Sequence, residues 1–328
     1  MDIKQTLSLS DYFYRLRGFA IISVAYAHSL TLSSHTPNTI GKLFGLIGVP
    51  LFLICSGYFF RKQKIDWGFA QNKLRSIVVP WLIWGSFAYG LSVVLSTTGL
   101  SLSEYIDFIL GHGSWLYYVP VYLLIILVYN FFSGKYCDAI SLLLCAFSNF
   151  LTFTLHWGTM DSFMTFYQNP LNFIGFFTIG KLMNEKQIIS LFVEKPLKFT
   201  LGGVILATIT TFLFLHITTR INYINPLAIV FELSAIMLLM ILNTRLIKNT
   251  ALKTLGRYSY ILYFLHMQLG IAVTNRVFTI VGLNNDWGQL LLKPLCVIFV
   301  TIVIVFALNK VLCVLHLNKL RQYIGLPK

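Results

Sequence analysis

Apolar stretches long enough to cross a bilayer recur along nearly all of the 328 residues, and this repetition limits the fold more than any other feature. A membrane-spanning helix needs about 20 mostly apolar residues. Ten such stretches are read: 13–33, 43–60, 76–96, 114–133, 137–156, 170–184, 197–216, 226–247, 257–282 and 288–314. Lipid offers the backbone no hydrogen bonds, so these segments are expected to be helices. Only 11% of the residues are charged and mean hydropathy is +0.75, whereas a soluble domain carries about a quarter charged residues. The expected fold class is therefore an all-α polytopic membrane protein with about ten transmembrane helices. One domain, 1–328, is expected: no loop is long enough to fold separately, and there is no low-complexity tract or clear internal repeat.

A formal charge of +14 would suggest a nucleic-acid partner in a soluble protein. Here topology accounts for it. With the N-terminus inside and ten spans, 21 of the 25 Lys and Arg fall on the inner side, among them Lys4, Arg15, Arg17, Arg75 and Lys328. Only Lys42, Arg220, Arg276 and Lys293 fall outside. That bias is the one the positive-inside rule predicts, with both termini cytoplasmic. No basic stripe interleaved with aromatics remains to bind nucleic acid, and the expected partner is the bilayer. The five cysteines show no disulfide or zinc spacing and read as small buried side chains. No metal site is expected. Ala25-Tyr26-Ala27 resembles a signal-cleavage site, but Asp2 and Asp11 precede a minimal apolar run, so an uncleaved first helix is expected.

Segment 100–110 differs from the spans. Leu102, Tyr105, Ile106, Ile109 and Leu110 share one helical face, with Glu104 and Asp107 off it, which suits a short amphipathic helix in the outer interface. The sixth span is short and holds Gly175 and Gly180. Such a span lines a cavity or allows close helix packing, and packing is favoured.

Ionisable side chains inside a membrane are costly, so each is a functional hypothesis. Arg17 and His28 lie eleven residues apart in the first helix. Eleven residues are three turns plus about 20°, so the two share a face, roughly 16 Å apart along the axis. Arg17 is expected at the cytoplasmic mouth and His28 near mid-membrane. A neutral imidazole facing a wet cavity accepts a proton from a hydroxyl. The plainer alternative is a snorkelling Arg and a structural His, and spacing alone does not separate the two. Glu232 is the one carboxylate well inside a span, following Asn225-Pro226. It could orient His28, pair with Arg17, bind acceptor hydroxyls or simply be protonated. His35, seven residues past His28, is placed at the outer end of the same helix in a loop-anchoring role.

Four segments, taken in order, resemble the acyltransferase-3 family of membrane proteins. Helix one reads Arg17-Gly-Phe-Ala-Ile-Ile-Ser-Val-Ala-Tyr-Ala-His28, similar to that family's arginine and histidine separated by ten residues. Val49-Pro50-Leu51-Phe52-Leu53-Ile54-Cys55-Ser56-Gly57-Tyr58-Phe59 is similar to its Phe-Phe-x-x-Ser-Gly-Phe segment. Arg75-Ser-Ile-Val-Val-Pro80-Trp81 resembles its Arg-Ile-x-x-Pro stretch, and Ser259-Tyr260-Ile-Leu-Tyr263-Phe-Leu-His266 its late Ser-Tyr-x-x-Tyr-x-x-His segment. One match departs: where the family has His-Leu-Trp-Phe-Leu, this chain has His112-Gly113-Ser114-Trp115-Leu116. Trp115 carries over as a cavity residue and His112, displaced by one, does not. The periplasmic hydrolase-like domain appended in some members is not expected here, so no second acyl-relay step is implied.

The resemblance implies a bacterial inner-membrane O-acyltransferase. It would take an acyl group, by default acetyl from acetyl-CoA, and place it on a cell-surface or lipid-linked carbohydrate, with no permanently bound cofactor. Arg17 and Arg75 would meet the anionic CoA, since guanidinium suits phosphate. His28 would be the general base on the acceptor hydroxyl. Ser56 would stabilise the oxyanion or simply allow helix packing; Glu232, Trp115, Tyr263 and His266 would line the cavity. The rival reading is a proton-coupled transporter or glycan flippase using His28, Glu232 and His266 as a proton relay. The lack of a repeat argues against it, because many transporters are built from repeated halves.

Overall fold

The computed structural model describes residues 8–96, 99–132, 134–156, 164–217, 221–283 and 285–327. Lys4, Arg220 and Lys328 of the charge pattern lie outside them. Among the described residues every regular element is helical. In chain order the α-helices are α1 (Leu9–Ser29), α2 (His35–Leu46), α3 (Gly48–Tyr58), α4 (Trp67–Lys73), α5 (Val79–Ser96), α6 (Leu102–Leu110), α7 (Tyr118–Phe131) and α8 (Lys135–Thr154). There follow α9 (Ile174–Glu185), α10 (Ile188–Glu194), α11 (Pro196–His216), α12 (Pro226–Asn243), α13 (Thr250–Leu265), α14 (Ala272–Val281) and α15 (Asp286–Val314).

Seven helices among the described residues are long and apolar enough to cross a membrane, counting α2 with α3, α4 with α5 and α13 with α14 as continuous rods. An eighth is reached if α6 and the Trp115–Phe131 helix, bent by 57°, make one broken span. The other two expected spans are helices that fall short of the criterion: α1 carries Asp11, Arg15 and Arg17 in its first half, and α9 has only 12 residues. The chain is thus a multi-pass, all-α membrane protein.

The chain forms two compact units. The first holds Met1–Phe60, Phe176–Ser259 and Gly270–Val300. In it α1 packs on α2, α3 and α12, burying Tyr12, Leu16, Ala20, Ile21 and Val24. The expected first span 13–33 is cut short, because α1 stops at Ser29 and the chain is non-helical to Ser34. A new helix starts at His35, with Ser34 extended at the N-cap position and Pro37 in the first turn, a pattern that favours helix initiation there. Asp286 fixes this break: its carboxylate accepts from the Ser34 N–H at 2.6 Å and the Ser33 hydroxyl at 3.0 Å. His35 therefore begins α2 and does not extend the face of His28, which corrects the placement read from spacing.

Gly57 of α3 and Gly180 of α9 explain how these helices meet. A Cβ on Gly57 would lie 2.0 Å from the Phe177 carbonyl oxygen, and one on Gly180 would lie 2.0 Å from that of Ile54. Neither helix could approach so closely with any other residue there. Close packing is therefore what Gly180 serves.

The second unit holds Arg61–Gly175, Tyr260–Leu269 and Thr301–Lys328. Asp66 caps α4 by accepting from the Phe69 N–H at 2.9 Å. Between α4 and α5 the helix widens to a π turn over Leu74–Val78. The short helix α6 forms as its periodicity predicts, with Ile109 buried and Leu102, Ile106 and Leu110 exposed. Gly111 ends it at φ +88°, where a Cβ would also strike the Tyr117 backbone at 2.3 Å. Along α8, Ser148 and Asn149 face the 3₁₀ turn Pro170–Asn172 that precedes α9. Ser148 Oγ donates to Asn172 Oδ1 at 2.6 Å and Asn149 Nδ2 to the Asn172 carbonyl at 3.0 Å. Backbone outside the α-helices of a membrane protein needs such partners.

Candidate active site

The eight residues singled out by sequence divide evenly between the units. Arg17, His28, Ser56 and Glu232 belong to the first, and Arg75, Trp115, Tyr263 and His266 to the second.

In the first unit, α1 carries Arg17 and His28, both half-buried. His28 sits in the last turn of α1, one residue before its end. Leu16, Ala20, Ile21, Val24 and Ala25 of the same helix are buried, while Phe19, Ile22 and Tyr26 are half-buried like the two polar groups. Ser56 lies in the last turns of α3 with its hydroxyl donating to the Phe52 carbonyl at 2.9 Å. That local bond, i to i−4, occupies the hydroxyl proton. Glu232, in the second turn of α12, is fully buried, and among the described residues neither carboxylate oxygen has a hydrogen-bond partner. Such a group destabilises the fold by about 1–3 kcal/mol.

A second polar group of this unit was read from sequence only as part of the topological charge pattern. Arg15 is 1% exposed. Its Nε donates to Asn243 Oδ1 at 2.9 Å and its Nη1 to the Ile247 carbonyl at 3.2 Å. Asn243 Nδ2 donates in turn to the Tyr12 carbonyl, and the Tyr12 hydroxyl to the Met240 carbonyl, both at 2.9 Å. These bonds clamp the start of α1 to the end of α12. Lys253 of α13 adds an ion pair to Asp11 at 2.7 Å, a half-exposed contact of modest worth.

In the second unit, Trp115, Tyr263 and His266 come together. The Tyr263 hydroxyl donates to the Trp115 carbonyl. The His266 ring lies 6.3 Å from Trp115 and 6.2 Å from Tyr263, centroid to centroid. His266 Nδ1 meets the Tyr263 carbonyl at 2.7 Å. All three side chains are buried. At His266 the α-helix gives way to a π turn, His266–Ile271, a distortion frequent at functional sites. The second π turn, Leu74–Val78, carries Arg75. His112 lies in the turn after α6, its backbone N–H bonded to the Asp107 carbonyl.

Arg75 is exposed at the rim of a cavity of about 500 Å³. Gln71, Asn72 and Ser76 line it beside Arg75, and Tyr260 and Gln322 close it. The Tyr260 hydroxyl donates to the Ile77 carbonyl at 2.8 Å, so one helical segment borders the cavity with Tyr260 and, one and two turns later, presents Tyr263 and His266. Gln71 and Asn72 belong to the same helical face as Arg75 and were legible as neighbours. Gln322, some 250 residues away in sequence, was not.

The model of the acyltransferase domain family matches residues 11–310, nearly the whole chain. Neither a curated protein nor a solved structure matches it. With the all-helical multi-pass fold and the four matching segments, this coverage decides the assignment: the chain belongs to the acyltransferase-3 family and is a membrane acyltransferase.

Proposed function

We propose that this chain moves an acyl group, acetyl in the simplest case, from cytoplasmic acyl-CoA to a hydroxyl of a cell-surface or lipid-linked carbohydrate. It does so in the bacterial inner membrane, with ten spans and both termini in the cytoplasm. The observation that carries this is α1 itself: Arg17 and His28 both remain half-buried on a helix that buries Leu16, Ala20, Ile21, Val24 and Ala25.

His28 takes the proton from the acceptor hydroxyl as the oxygen attacks the thioester carbonyl. The tetrahedral intermediate collapses, the carbon–sulfur bond breaks, and the imidazolium returns the proton to the departing thiolate. The products are an ester and free CoA. Arg17 and Arg75 offer guanidinium groups to the phosphates of the donor. Glu232, with both oxygens unbonded, is suited to accept from hydroxyls of the incoming sugar. Trp115, Tyr263 and His266 supply a buried aromatic wall of the kind against which sugars and acyl chains pack.

The test is mass spectrometry of surface glycans from cells carrying the intact chain or His28→Ala, after the variant is shown to reach the membrane at normal level. An alkali-labile ester is expected only with the intact chain. Loss of whole glycans with no ester ever present would overturn the transferase proposal in favour of sugar transport.

A further inference from the structure

The cavity beside Arg75 is walled on one side by a part of the chain that lies beyond the matched family residues. After α15 the chain turns through a 3₁₀ segment, Asn318–Ile324, and folds back to Pro327. This hook is fixed within the second unit. Trp84 Nε1 donates to the Ile324 carbonyl at 2.9 Å, the Leu326 N–H to the Arg321 carbonyl at 3.0 Å, and Arg321 Nη2 to the Pro327 carbonyl at 3.0 Å. Gly325, at φ +78°, lets the hook lie flat on the ring of Tyr260, which a Cβ would approach to 3.0 Å. Leu326 of the hook is itself buried and borders the cavity. The hook is therefore a built wall and not a loose tail, and it brings Gln322 opposite Gln71, Asn72 and Arg75.

The chemistry of this lining is one-sided. It contains a guanidinium and three primary amides and, among the described residues, no carboxylate. Among the described residues, none of these four side chains makes a hydrogen bond or ion pair, although each carries donors. Concave sites of about 300–1,000 Å³ with a few convergent polar groups are typical of small-ligand binding. A cation with free amides recognises an anion that also offers acceptors, and arginine is the residue best matched to phosphate.

We infer that the cavity formed by the Leu74–Val78 turn and the C-terminal hook binds a phosphate-bearing ligand, with Arg75 on the phosphate and Gln71, Asn72 and Gln322 on its polar neighbours. Two sources carry that chemistry: the nucleotide end of the acyl donor, and the headgroup of an anionic lipid. The first rests on the transferase proposal and the second does not. In either case the hook, through Gln322, is a binding element of this chain.

The experiment uses the full chain in nanodiscs of neutral phosphatidylcholine. Adenosine 3′,5′-bisphosphate binding is measured by calorimetry, and phosphatidylglycerol retention by native mass spectrometry of mixed-lipid discs. Each is repeated with Arg75→Gln and Gln322→Ala, and acyl transfer to the host glycan is followed in parallel. One of the two probes is expected to bind, about tenfold or more weakly with Arg75→Gln. Gln322→Ala, which removes only a neutral hydrogen bond from a surface hook, is expected to weaken it about threefold to tenfold. Nucleotide binding with that pattern assigns the donor; lipid retention with that pattern assigns the headgroup. Binding of both probes unchanged in both variants, or of neither probe, overturns the site, and ester formation that persists in that case leaves the transferase proposal standing. Binding that follows the variants in a chain that forms no ester has the opposite meaning: the site holds and the transferase proposal falls.

Discussion

The contact between α3 and α9 allows a prediction worked from distances alone. Gly57→Ala would place a carbon 2.0 Å from the Phe177 carbonyl oxygen, and Gly180→Ala one 2.0 Å from that of Ile54. Close carbon-to-oxygen contacts between helices run at about 3.3 Å or more, so either methyl forces the helices apart by about 1 Å. Both obstacles are backbone, which cannot swing aside as a side chain would. Overpacking of this kind costs about 1–3 kcal/mol. The two methyls push the same pair of helices apart, so the displacement made for one partly accommodates the other. The double variant should then lose less than the two single losses added, by about 0.5 kcal/mol or more. Gly202→Ala is the control: it sits in α11 with nothing within 4 Å of an added Cβ, and the better helix former should stabilise by up to about 1 kcal/mol. The assay is reversible unfolding of the purified protein in mixed micelles, followed by tryptophan fluorescence. If Gly57→Ala and Gly180→Ala behave like Gly202→Ala, the helices are not in the contact described and the account of Gly180 as a packing residue fails.

Three further outcomes follow from single residues. Asn243→Ala removes the acceptor of Arg15 Nε and the donor to the Tyr12 carbonyl, leaving buried polar groups unpaired. It should destabilise by about 2–3 kcal/mol in the same unfolding assay, and an effect below about 0.5 kcal/mol would show that the clamp is not a support of the fold. Glu232→Leu removes a fully buried carboxylate without partners, so the variant should be more stable by about 1–3 kcal/mol while acyl transfer falls; a less stable Leu variant would mean the carboxylate has a partner that packing depends on. Gly325→Ala forces a side chain into left-handed backbone, a strain of about 1–2 kcal/mol, and against the Tyr260 ring. Hydrogen exchange should rise across 318–327 and stay unchanged in α1 and α12, and unchanged exchange in the hook would contradict its tight seating.

The sequence made the helices legible because the bilayer leaves few choices. Hydropathy windows marked seven stretches that the fold makes into long apolar helices, and the 3.6-residue period alone predicted α6. The break between α1 and α2 was harder. Ser33 and Ser34 are weak turn formers by themselves, and the carboxylate of Asp286, some 250 residues later, holds both of them at the start of α2. Placing His35 on α1 followed directly from not seeing that partner.

The same distance effect separates the site residues that were read from those that were not. Arg17 and His28 share one helix, so their relation is fixed by the rise and turn of that helix and needs no tertiary knowledge. Arg15, two residues earlier, looked like another inner-side cation, yet it is the more deeply buried of the two arginines, with Asn243 and the Ile247 carbonyl taking its Nε and Nη1 protons. A buried cation is recognisable only by its acceptors, and an asparagine among 28 phenylalanines and a long apolar background gives no local sign of serving as one. Gln322 is the mirror case. Its position beyond the last span suggested nothing, and it enters a cavity only because Gly325 turns the chain back onto Tyr260. Chemistry written along one helix can therefore be read from residues in order, whereas chemistry that depends on which distant backbone or amide completes a polar group requires the fold.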